Sequence, residues 1–203
     1  MRTQLSRAAV VVALCLCGCA GPRGSEVTPA QTAIHSEFTS LQPAACQQKV
    51  GQNDPNDTPY LACPGIGGYT LHVRKVESGR ISLDVVDPGG QARPLNLQDT
   101  VTRSMTNLTG QAEWRVPTGG GGGALPVALI VRVEVREDDG DPEKVTQTYV
   151  TVAKITADAA CVTDRIPEGA QPAEKVLAAA DTARQRPCVS PLPERNAGGP
   201  ERH

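Results

Sequence analysis

From Leu125 to Arg136 the chain sets Val127, Leu129, Val131, Val133 and Val135 on one phase of a period of two, and Arg132, Glu134 and Arg136 on the other. A strand half-buried against a core fits that pattern, because successive side chains of extended backbone leave on opposite faces. Tyr69-Thr70-Leu71-His72-Val73 repeats the alternation, and so do Ile81, Leu83 and Val85. Lys144 to Ile155, rich in Thr, Val and Tyr, reads as a second long strand joined to the first by the hairpin loop Glu137 to Glu143.

Asp87-Pro88-Gly89-Gly90 couples a fixed φ to glycines free to take positive φ, so a hairpin is expected there, with Leu95 to Leu97 as its returning strand. Gln111 to Val116 supplies another strand, with Ala112 and Trp114 on one side and the charged Glu113 and Arg115 on the other. The glycine run 119–123 holds no regular element and reads as a loose loop. Pro172 to Arg186 has the polarity of a helix: Pro at the first turn, Glu174 near the start, Arg184 and Arg186 near the end. Its apolar positions Ala173, Val176, Leu177 and Ala180 form one face that can pack on a sheet. The expected fold is mainly β within the α+β class: a curved antiparallel sheet or meander with one C-terminal helix.

Such a fold has little aromatic material to bury. Phe38, Tyr60, Tyr69, Trp114 and Tyr149 are the five aromatic residues among 203, so the core is built from Val, Leu, Ile and Ala. These bury less area per residue, and covalent cross-links are then expected to add stability. Trp114, the one tryptophan, is expected in that core rather than at a partner surface.

The N-terminus carries its own address. Arg2 and Arg7 precede the apolar run Ala8 to Leu16, the pattern of an export signal. The run is about half of the roughly 20 apolar residues a membrane-spanning helix needs. Leu16-Cys17-Gly18-Cys19 resembles the lipobox of bacterial lipoproteins. That resemblance implies a signal peptide over 1–18, lipidation of Cys19 with acyl chains such as palmitate, and Cys19 as the first mature residue. Three acyl chains, each buried methylene contributing about 0.8 kcal/mol, make such an anchor effectively permanent. Ala20 follows in place of the aspartate that signals inner-membrane retention in that family, so the periplasmic face of the outer membrane is implied. Residues 19–44 are rich in Gly, Pro, Ser, Thr and Gln without apolar period and read as a flexible tether with a reach of about 25–30 Å. The folded domain is expected over 45–189 and a tail over 190–203.

Seven cysteines are encoded; Cys15 and Cys17 leave with the signal and Cys19 takes the lipid, which leaves Cys46, Cys63, Cys161 and Cys188. An even number in an oxidising compartment implies two disulfides, and three connectivities are formally open. The local pairing, Cys46–Cys63 and Cys161–Cys188, closes two short loops and crosses nothing, and is preferred. A four-thiolate zinc site is disfavoured because the spacings contain no C-x-x-C pair.

The segment Cys46…Cys63-Pro64-Gly65-Ile66-Gly67-Gly68-Tyr69-Thr70-Leu71-His72-Val73, with the late pair Cys161…Cys188 around an alanine-rich helix, resembles a group of small exported proteobacterial lipoproteins. The resemblance spans about residues 44–188 and implies the fold and the disulfides; it brings no catalytic residues. A looser architectural resemblance is to periplasmic lysozyme inhibitors, for which the glycine loop 119–123 would be the inhibitory loop.

Other chemistry finds little footing. Gly65 to Gly68 and the glycine run lack the Lys-Ser/Thr of a phosphate loop, and there is no G-x-S-x-G nucleophile turn. His35 and His203 fall in tether and tail, and His72 lies on the polar phase of its strand. Asp138, Asp139, Asp141 and Glu143 crowd one loop without the EF-hand spacing for Ca²⁺. Asn107-Leu108-Thr109 is a sequon by pattern, discounted in a chain with a bacterial lipobox. Formal charge is −2, and −4 once Arg2 and Arg7 depart with the signal, so nucleic acid is excluded as an expected partner. No metal and no cofactor is expected. The expected role is a noncatalytic binding domain meeting the membrane through its anchor and an envelope protein through its surface. One rival is an enzyme assembled from dispersed acids such as Asp84, Asp87 and Glu134.

Overall fold

The computed structural model describes residues 33–50, 59–76, 79–119, 124–137 and 140–193. Among the described residues, ten strands form two five-stranded antiparallel sheets. The first sheet contains β1 (Ile34–Ser40), β7 (Met105–Pro117), β8 (Ala128–Arg136), β9 (Gln147–Ile155) and β10 (Ala160–Pro167), in the order β1-β7-β8-β9-β10. The second is a pure meander of β2 (Gln47–Lys49), β3 (Tyr60–Pro64), β4 (Thr70–Val76), β5 (Arg80–Val86) and β6 (Ala92–Pro94). Two α-helices among the described residues complete it, α1 (Leu97–Thr100) and α2 (Ala173–Asp181). The mainly β fold, the antiparallel pairing and the C-terminal helix are as the sequence predicts. The strands divide between two sheets, one of them a meander; alternation marks a buried face without saying which strands share it.

The sheets pack face to face. Leu71, Leu83 and Val85 of the second meet Ala112, Trp114, Val116, Leu129, Val131, Val133, Ala153, Ile155 and Val162 of the first, all buried. Trp114 donates from Nε1 to Thr39 Oγ1 at 2.8 Å, and its ring lies 6.3 Å from that of Tyr69. The sheets are also tied at one edge, where the Arg93 guanidinium donates to the carbonyls of Ala157 at 2.8 Å and Asp158 at 2.5 Å.

Both disulfides form with the preferred local connectivity. Cys46–Cys63 closes a separation of 17 residues beside β2 and β3, and Cys161–Cys188 closes one of 27 and ties the segment after α2 to β10. Each is expected to stabilise by about 3 kcal/mol through the entropy it removes from the unfolded chain.

Several boundaries differ from those expected. Strand β1 falls inside the segment read as tether. It escapes sequence detection because its side chains are recruited singly: Thr39 bonds Trp114, Ser36 accepts from Arg115, and Ile34 packs under α2, while order comes from backbone pairing with β7. The returning strand is Ala92–Pro94 rather than Leu95 to Leu97, because Asn96 takes a left-handed φ of 50° that ends extension and lets Leu95 and Leu97 turn into the core. The hairpin itself forms as read: Asp87 Oδ1 accepts from the amides of Gly89 and Gln91, each at 2.9 Å. Residues 190–193 are not free tail, since Leu192 donates its amide to the Asp99 carbonyl at 2.6 Å and accepts from Arg103 at 2.8 Å.

The outer face of the first sheet is covered as well. Ala180 and Ala183 pack on Ala128, Ile130, Val150, Val152 and Ile166. Arg115, on the side of β7 opposite Ala112 and Trp114 as read, is 5 % exposed beneath α2 and grips Asp181 with two bonds, Nε to Oδ1 at 2.6 Å and Nη2 to Oδ2 at 3.0 Å. The helix stops at Asp181, short of Arg186; Arg184 instead reaches the carbonyls of Ile155 at 2.8 Å and Pro126 at 3.1 Å.

Two stability predictions follow from this packing. A Cβ on Gly65 would sit 2.4 Å from the Tyr69 carbonyl oxygen and 3.0 Å from Trp114 Cζ2, contacts that backbone cannot relieve locally. Gly65→Ala will therefore lower stability by about 1–3 kcal/mol, read from the urea midpoint. Asp181→Ala strands the buried Arg115 charge and will cost about 2–4 kcal/mol, while adding Arg115→Met will restore part of the loss. A double variant no more stable than Asp181→Ala alone would refute that account.

Candidate functional site

At the end of the sandwich where β4 runs out and β5 begins, the sheets do not close. An open cleft of about 780 Å³ lies between them. Its walls are Leu61 of β3, Val73 of β4 and Ile81 of β5 on one side, with Leu41 and Leu108 on the other. Polar groups stand among them: Gln42, Gln48, Asn107 and Lys75. Among the described residues no carboxylate lines the cleft.

The strands place these groups by parity. On β4 the inward phase runs Leu71, Val73, Lys75, so the residue that would extend the core is a cation at the mouth. The sequence reading ended this strand at Val73; the signal that could have found Lys75 is its place on the apolar phase. Across the cleft, the register of β7 with β8 shifts between Leu108 and Ala112, and the Leu41 amide donates to the Gly110 carbonyl at 3.0 Å. The Cys46–Cys63 bridge joins the chain just before β2 to β3, and so fixes the wall that carries Gln48 and Leu61.

A second polar cluster lies on the outer face of the second sheet. His72 is directly opposite Asp84 in the β4–β5 register. Asp84 is 2 % exposed and bonds Arg74 at 2.5 Å, and the Tyr60 ring sits 4.3 Å from that of His72. Burial raises the Asp84 pKa, opposed by the Arg74 charge. Burial also lowers that of His72, opposed by the Asp84 charge.

The dispersed acids are not brought together. Asp84 faces out of the second sheet, and Asp87 is occupied in its own turn, where the Gln91 amide above all lowers its pKa. Glu134 alternates with the core residues Val133 and Val135 and faces out of the first sheet, near Arg136 at 3.9 Å. Among the described residues no group of three or more His, Cys, Asp or Glu is placed to hold a metal. His35 pairs with Glu37 at 3.1 Å, and Glu143 pairs with Arg136. Gly67 and Gly68 take positive φ in the turn that the Tyr69 amide closes on the Ile66 carbonyl. Cys19, His203, Asp138, Asp139 and Gly120 to Gly123, and with them most of the inhibitor-like loop, lie outside the described residues. No helix among the described residues is long and apolar enough to cross a membrane.

Comparison with protein-family models, with curated proteins and with solved structures returns no match.

One pH prediction belongs to the outer cluster. With its folded pKa below 6.5, His72 binds its proton less readily in the fold than in the unfolded chain, so stability is lost as pH falls through 6.5. His72→Gln will shrink the difference in melting temperature between pH 7.5 and pH 5.5; an unchanged difference would assign that loss to other groups.

Proposed function

We propose that this chain is a cell-envelope lipoprotein, held to the membrane by lipid on Cys19, whose sandwich is a noncatalytic binding domain that takes its ligand in the cleft between the sheets. The observation that carries this reading is the cleft itself. Protein interiors pack with few voids larger than a water molecule. Here a core of Val, Leu and Ala is left open at one end, with polar side chains among its apolar walls. Its volume of about 780 Å³ falls within the roughly 300–1,000 Å³ of small-molecule sites. The two disulfides accord with an oxidising compartment.

A second reading, an envelope protein as partner, is favoured by Phe38. The one phenylalanine of the chain is 58 % exposed on β1, an edge strand of the first sheet. An exposed edge offers unpaired backbone groups to an added strand, and an aromatic beside it supplies an anchor.

Fractionation tests the anchor. Cys19→Ser will move the chain from the membrane to the soluble periplasmic fraction and abolish incorporation of an alkyne-labelled palmitate analogue; retention in the membrane without label would overturn lipidation at this cysteine. A photo-cross-linking residue at position 38 that captures a single envelope protein in living cells would promote the second reading. Capture of nothing, with the domain folded, would leave the cleft as the site.

A further inference from the structure

We infer that β1 is the contact of a symmetric dimer, in which a second copy of this chain lays its own β1 antiparallel beside it; this names the partner in the edge-strand reading above and rests on that reading. Sheet edges offer backbone donors and acceptors to strands of other chains, and folds blunt them by shortness, proline, bulges or cover. Three of the four edges described here are blunted. β2 and β6 are three residues long, and β6 ends in Pro94. β10 has a register shift between Val162 and Asp164 and is met by the segment tied through Cys161–Cys188, whose Val189 amide donates to the Val162 carbonyl at 2.8 Å. β1 carries none of these devices. It is seven residues long, Ile34-His35-Ser36-Glu37-Phe38-Thr39-Ser40, without proline or lysine, and its register with β7 is unbroken.

The pairing with β7 fixes which backbone groups of β1 turn outward. At its two ends Thr118 donates to the Ala33 carbonyl at 2.6 Å and Leu41 donates to the Gly110 carbonyl at 3.0 Å. In an antiparallel ladder, residues that bond one neighbour alternate with residues whose N–H and C=O point away from it. The odd-numbered residues of β1 therefore bond β7, and Ile34, Ser36 and Phe38 present their backbone groups at the edge. The opposing strand agrees: the Arg115 carbonyl, across from Ser36, is turned away to accept from Val127 at 2.8 Å. Pro117, across from Ile34, has no N–H to give. The Ile34 carbonyl accepts instead from the Arg115 guanidinium at 3.3 Å, and a carbonyl oxygen has a second lone pair for an added strand.

Side chains select the second copy and its register. With a twofold axis at Ser36, Ile34 faces Phe38 of the second copy and His35 faces its Glu37, each contact made twice, along about six backbone hydrogen bonds. Phe38 is 58 % exposed, and Ile34 abuts the apolar cluster beneath α2, so the ring has apolar surface to cover. The His35 and Glu37 side chains are 48 % and 46 % exposed and bond each other within the chain at 3.1 Å. Across the axis the four groups alternate, each imidazole beside two carboxylates. An axis one residue to either side would set Glu37 against Glu37 or His35 against His35, and like charges directly opposite are unfavourable. The strand is thus complementary to itself in one register, in apolar contact and in charge.

The test is sedimentation equilibrium of the Cys19→Ser chain over about 5–200 µM, where a monomer–dimer equilibrium is expected. Phe38→Pro removes an N–H that points away from β7, so it will leave the circular dichroism of the monomer unchanged and abolish the dimer. Glu37→Lys sets a cation against His35 and will weaken the dimer about tenfold, and adding His35→Glu, which exchanges the pair, will restore it. Ser36→Cys will give a disulfide-linked dimer under oxidation, since opposed residues on the axis lie about 5.5 Å apart between Cα atoms. A dimer that survives Phe38→Pro, or that neither charge variant alters, would overturn the assignment to β1. A monomer at every concentration would overturn the second copy as partner. The cross-linker at position 38 then separates the two readings: capture of a different envelope protein keeps β1 as a docking edge, and capture of nothing overturns both.

Discussion

The burial of Trp114 between the two sheets is the contact on which the rest of this sandwich depends. In a core otherwise made of branched aliphatic side chains and alanines, it is the largest fully buried side chain. It also reaches three parts of the chain distant in sequence: Thr39 of β1 through its indole N–H, Gly65 in the turn before β4, and Tyr69 at the start of that strand. An indole N–H buried without a partner would cost about 1–3 kcal/mol, so the bond to Thr39 is part of what makes the position tenable. That bond gives a polar edge strand its place: β1 has little apolar surface to bury, and it docks where the tryptophan needs an acceptor.

Where Trp114 closes the centre, covalent and ionic ties close the periphery. Cys161–Cys188 and the segment around it strap α2 over the outer face of the first sheet, while Arg115, Arg184 and Arg186 reach from strand or strap to carboxylates and main-chain carbonyls. These arginines satisfy polar groups that the covering helix would otherwise bury unpaired. The second sheet has no such strap among the described residues. Its outer face keeps the half-buried His72 and Arg74 and the buried Asp84 together, and its far end stays open as the cleft.

Much of this was legible from the chain, because period-two alternation reports a physical fact about each strand separately. Leu125 to Arg136 and Tyr69 to Val73 read as strands since their faces meet different solvents. What alternation does not report is the identity of the cover. Arg115 shares the charged side of its strand with Glu113, and the helix that covers it lies some sixty residues on in sequence; the long-range pair with Asp181, together with bonds to Ser36 and the Ile34 carbonyl, makes its burial tolerable. Strand β1 was hidden for the opposite reason, its order resting on backbone bonds to β7 that leave no trace in hydropathy. Asn96 ended β6 early through a local backbone state that hydropathy does not register.

The cleft was half legible. Val73 and Ile81 were visible as the inward phase of strands, whereas Leu41, Leu61 and Leu108 fell outside the strands that alternation marks, and a cavity is a difference between elements rather than a property of one. Lys75 is where the two kinds of information meet. Its phase assigns it to the interior, its charge forbids full burial without a partner, and the structure reconciles the two by ending the sandwich there. A leucine at this position would carry the core one layer further and favour closing the sheets over it. The lysine, exposed at the mouth of the cleft, is thus the residue of β4 whose phase and chemistry disagree, and the open end of the sandwich lies beside it.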